Sequence, residues 1–172
     1  MTQKKSSIFK FYFQSLTGVL GEPGTFFKKL PADIRLKQPV LFLIISGIFF
    51  SIASLLVTPS TSPFVTGSIF FINSVGMTFI AAGLGYMVMT MIIGKQVLFI
   101  KFFSIYAFST GVILLASWVP TFFFITEPWK WWLIGTGLTK SCGLSWWHAL
   151  LIIGISIIIM IIFFKSLSLL VF

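Results

Sequence analysis

Along this chain, apolar and polar positions alternate on the scale of whole helices. An uncharged apolar run at 39–57, roughly 28 Å long as a helix, matches the hydrocarbon core of a bilayer. Residues 58–63, TPSTSP, break it with two prolines, and 69–93 then supplies an uncharged run long enough to cross with tilt. Gly94, Lys95 and Lys101 mark a short basic loop before a third apolar run at 102–119, which Pro120 closes. The next stretch is mixed: Glu127, Pro128 and Lys130 interrupt it, and the apolar piece at 131–139 is too short to cross alone, which leaves 129–140 as a short or uncertain span. A last clear run occupies 146–164. The pattern predicts an all-α, polytopic transmembrane helical bundle of about five spans. Four crossings would leave Lys130 and Lys140 on the outer face, and five would leave Lys130 and Lys165 there, so charge alone leaves both counts open.

Ahead of the spans lies a basic segment, 1–38, distinct from the transmembrane domain at 39–172. Ile8, Phe9, Phe11, Tyr12, Phe13 and Leu16 form a broad apolar face, and Pro23 starts a second short piece with Phe26, Phe27 and Leu30 opposite Lys28 and Lys29. Both pieces are expected to be amphipathic helices in the headgroup region. The basic bias predicts a cytoplasmic N-terminus, and the order of basic and apolar segments is not that of a signal peptide.

Composition sharpens this picture. The 172 residues include 12 Lys and Arg against 3 Asp and Glu; only 9% are charged and 58% are hydrophobic. A soluble domain carries roughly a quarter charged residues, so the bulk of this chain must face lipid or itself. Three acids and one histidine leave little material for carboxylate-pair hydrolysis, acidic metal sites or proton relays. The net charge of +9 is an orientation signal and not a nucleic-acid footprint, because no basic stripe with interleaved aromatics lies on a polar surface. Cys142 is the single cysteine and has no disulfide partner within the chain. His148 stands alone beside Trp146 and Trp147, so no metal or haem site is expected. The glycines form no nucleotide-binding signature, and no cofactor is implied.

Four pieces in order resemble the Yip1 domain family of small multispanning membrane proteins: VLGEPGTFFKKLP (19–31) ahead of PVLFLIISGIF (39–49), then GKQVLFIKFFSIYAFST (94–110), then WWLIGTGLTKSCGLSWWHAL (131–150). The resemblance covers about 19–165 and implies five spans after a cytoplasmic N-terminus. The stretch 121–129 departs from it, being longer than the family's brief turn. Eukaryotic members are linked to vesicle traffic and small GTPase binding, and bacterial ones are mostly of unknown function or accessory to other membrane machinery. The family offers no catalytic residues to carry over.

The residues singled out are accordingly contact residues. Lys28, Lys29, Lys37, Trp129 and Trp132 are candidates for the lipid interface. Asn73, Gly83, Ala107 and Gly111 are candidates for helix packing, Asn73 through a hydrogen bond to a neighbouring span. Glu127 and Lys130, at i and i+3, can pair on a helix; they are expected at the water interface, with Pro128 opening the helix that follows, the alternative being an intramembrane and therefore functional pair if 121–139 forms the fourth span. The expected function is that of a non-enzymatic accessory, assembly or scaffold subunit in a bacterial cytoplasmic membrane, with membrane lipid and other integral membrane subunits as partners. The alternative is a small transporter or channel component with a path lined by Asn73, Thr78, Thr90, Ser104, Ser109 and Thr110.

Overall fold

The computed structural model describes residues 8–31 and 33–171, and among these every regular element is helical. In chain order these are α1 (Ile8–Gly21), α2 (Pro23–Lys28), α3 (Lys37–Val57), α4 (Pro63–Val88), α5 (Phe99–Leu114), α6 (Phe123–Cys142) and α7 (Trp146–Val171). A π-helical turn, Met89–Ile93, extends α4, and a 3-10 turn, Pro120–Phe122, leads into α6. By length and apolar character, α3, α4 with its extension, and α7 can cross a membrane; α5 is a shorter apolar helix. With no strand among the described residues, every backbone amide pairing in the long segments is local, as an apolar solvent demands.

At the centre stands α5. Phe102, Phe103, Ile105, Tyr106, Ala107 and Phe108 are all within 1% of full burial, so this helix is buried on every side. It packs against α1, α3, α4 and α6, whereas α7 lies at the periphery on α4 and α6. Close approach depends on glycine at two points. A Cβ on Gly111 would lie 2.6 Å from Cε1 of Phe42 in α3, and one on Gly137 would collide with Ile105.

The turns at one end are also tied together. Gly94 ends the π turn at φ 72° and Gly143 ends α6 at φ 62°, both in the left-handed region that favours glycine. The Leu144 N–H reaches back to the Leu138 carbonyl at 3.4 Å, closing the last turn of α6. Lys95 Nζ donates to the Gly143 carbonyl at 2.8 Å, so the α4–α5 loop lies beside the α6–α7 turn.

Several boundaries differ from those read in the sequence. Helix α4 begins at Pro63, not near residue 69, because proline suits a first helical turn and 64–68 continue it. Helix α5 stops at Leu114, not at 119. There the chain tightens to i,i−3 bonds, Leu115 to Val112 and Ala116 to Ile113, and the Ser117 hydroxyl takes the Ile113 carbonyl at 2.9 Å. The largest correction is α6, a 20-residue helix that carries Glu127, Pro128 and Lys130 inside it and not before it. Pro128 lies near its N-terminal end and removes one ladder bond, while the two charges neutralise each other on one turn.

Both N-terminal helices form where expected, and they are more than surface layers. Tyr12, Ser15 and Val19 of α1 and Phe27 of α2 are buried, and Phe26 meets Phe108 edge-on with ring centroids 5.2 Å apart. Tyr12 stacks on Phe42, and its hydroxyl shares a 3.1 Å hydrogen bond with Ser46 of α3. Phe9 and Phe13, by contrast, are exposed.

Candidate functional site

Between α4, α5, α6 and α7 lies a cavity of about 490 Å³, bordered on one side by Phe50 of α3. Its position follows from helical rise. Phe50 is about 10 Å along α3 from Val57, and Asn73 is about 15 Å along α4 from Pro63, so the cavity lies well below the ends of both helices. Its walls are largely apolar, with Phe70, Met77 and Met160 among them.

Polar groups gather on the α4 and α6 sides. Lys130 Nζ donates to both carboxylate oxygens of Glu127, at 2.6 and 2.7 Å. The Lys130 side chain is 19% exposed and that of Glu127 29%, so both are partly open. Lys130 Nζ also lies 4.8 Å from the ring centroid of Trp131. Asn73 and Thr78 face the same space from α4, and Tyr106 and Thr110 from α5. Thr78 spends its donor on the Ser74 carbonyl at 2.8 Å. The Tyr106 hydroxyl is buried and unpartnered, and it lies against Gly85, where a Cβ would come within 2.5 Å of it.

The sequence-derived candidates divide accordingly. Asn73 makes no hydrogen bond to a neighbouring span among the described residues, and it lines the cavity as an exposed amide. Gly83 is corrected: nothing lies within 4 Å of a Cβ built on it, and the close approach on that helix is at Gly85, two residues further along the turn. Ala107 is fully buried, and Gly111 holds the tight contact with Phe42 and Ser46. Glu127 and Lys130 do pair, yet they border an interhelical cavity and do not stand in front of a helix start. Trp129 and Trp132 lie on the outer surface at 37% and 50% exposure. Lys28, Lys29 and Lys37 are exposed.

Other polar side chains are occupied elsewhere. Thr90 donates to the Tyr86 carbonyl and Ser104 to that of Ile100, and neither lines the cavity. Ser109 is buried without a partner, away from it. His148 bonds Ser145, which caps α7 through the His148 N–H. What sequence reasoning missed is the convergence of Asn73 with the Glu127–Lys130 pair. Only the unusual presence of charge and amide in apolar segments hinted at it.

No curated protein and no solved structure matches the chain. The Yip1 domain family model matches residues 17–167, across the central α5 and both sides of the cavity. With that match over most of its length, the chain belongs to the Yip1 domain family and is a multi-pass integral membrane protein.

Proposed function

We propose that this protein is a non-enzymatic accessory or scaffold subunit that works by contact with other membrane proteins and with lipid. The observation that carries the reading is the anchoring of α1 and α2. Tyr12, Val19 and Phe27 are sunk into the bundle, so Lys28, Lys29 and Lys37 project from a braced platform and not from a loose tail. A fixed basic face suits an anionic membrane surface or an acidic partner. Family membership supports the same reading. In this proposal the platform is cytoplasmic, the chain crosses a bacterial cytoplasmic membrane five times with α3 to α7, and the Lys95 loop shares the platform's side.

Purification in mild detergent tests it. A stoichiometric membrane partner should co-purify with the wild type and be lost from the Lys28→Glu/Lys29→Glu variant at equal protein level. A lone protein whose cellular role survives that variant would overturn the reading.

A second reading, a small transporter or channel component, is favoured by the cavity with its ion pair. Of the path expected from sequence, Asn73, Thr78 and Thr110 do meet there. Substrate-dependent flux in proteoliposomes of the purified chain would select it.

A further inference from the structure

We propose that the cavity between α4, α5, α6 and α7 binds the zwitterionic headgroup of an ethanolamine phospholipid, Glu127 receiving its ammonium and Lys130 its phosphate. This goes beyond the scaffold reading and does not depend on it.

Charge matching selects the headgroup. The cavity presents one carboxylate and one ammonium, already within 2.6 Å of each other on one turn of α6 and both partly open. A purely anionic or purely cationic ligand would satisfy one and strand the other in a medium where an unpaired charge is costly. A ligand carrying both signs exchanges one neutral pair for two. With no ligand the residues neutralise each other, so the empty site has a stable resting form.

One further group points into the same chemistry. The Asn73 amide opens onto the cavity, and its N–H₂ can serve a phosphate-ester oxygen.

The remaining wall selects the source. Phe50, Phe70, Met77 and Met160 offer an apolar surface that a water-soluble zwitterion would leave unused and that a glycerol backbone and acyl chain would cover. The volume of about 490 Å³ is of the size that holds a headgroup and the start of its chains.

The test uses the full-length protein, stripped of lipid in detergent, with native mass spectrometry and thermal shift as readouts. Dioleoyl-phosphatidylethanolamine is compared with dioleoyl-phosphatidylglycerol and with soluble phosphoethanolamine. The ethanolamine lipid should bind one to one, at least tenfold more tightly than the glycerol lipid. Glu127→Gln should abolish that preference. Asn73→Leu, which fills the cavity from an exposed position and leaves the ion pair intact, should weaken binding at least tenfold, and it keeps the test decisive if Glu127→Gln fails to fold. Equal binding of the two lipids, or wild-type binding by Asn73→Leu, would overturn the proposal. Displacement of the lipid by an equal concentration of phosphoethanolamine would overturn the lipid assignment in favour of a soluble zwitterion.

Discussion

Phe42 of α3 lies across Gly111 of α5 so closely that a Cβ on the glycine would come within 2.6 Å of the ring's Cε1. The ring is at the same time sandwiched toward Tyr12 and Phe108, at centroid distances of 4.9 and 5.2 Å, so it has no free side to move to. Gly111→Leu should therefore destabilise the bundle by at least about 1–3 kcal/mol, the usual cost of overpacking. Gly83→Ala, with open space at its Cβ, should change stability by less than about 0.5 kcal/mol. Thermal unfolding of both variants in one detergent checks the contrast, and equal loss in the two would refute it.

The Tyr12–Ser46 hydrogen bond is a polar link between the N-terminal helices and α3. Tyr12→Phe should cost about 0.5–1.5 kcal/mol. Because the ring stacking on Phe42 survives, the effect should appear as faster proteolysis within α1 and not as loss of the whole fold. Limited proteolysis with a site-mapped readout distinguishes the two.

Breaking the Glu127–Lys130 pair should cost more than removing it. Glu127→Gln leaves Lys130 uncompensated beside an apolar cavity, whereas Glu127→Gln/Lys130→Met leaves no charge there. The single variant should lose about 1–3 kcal/mol, below the cost for a fully buried pair because both groups are partly open, and the double variant should recover most of it. Thermal melts of the single and double variants decide this. A double variant as unstable as the single one would contradict it.

Cysteines placed at Ser60, between α3 and α4, and at Gln96, beside the tie from Lys95 to Gly143, should label from opposite sides of the membrane in a Cys142→Ser background. Labelling of both from one side would exclude the crossing of α4.

Much of this fold was legible in the sequence because lipid as a solvent acts on composition over whole segments. A run without charge must be buried in membrane or protein, and its backbone must be helical to satisfy itself, so the long runs behind α3, α4 and α7 announce themselves. Amphipathic spacing likewise revealed α1 and α2, with Lys28 and Lys29 opposite Phe26 and Phe27. The ordered glycine, proline and aromatic pieces were enough to point to the Yip1 domain.

What the tertiary structure decided is where segments meet. Sequence spacing cannot tell Gly83, beside open space, from Gly85, under the Tyr106 hydroxyl, since both are small residues on one apolar helix and only the neighbour's ring distinguishes them. It also cannot carry a helix through Glu127, Pro128 and Lys130, because locally each of them argues for an end. The pairing of the two charges, and the cavity that Asn73 and Tyr106 share with them, depend on contacts between helices far apart in the chain. Hydropathy is a property of each segment alone, whereas packing and charge compensation are properties of segments in contact, so the first was readable from the sequence and the second needed the fold.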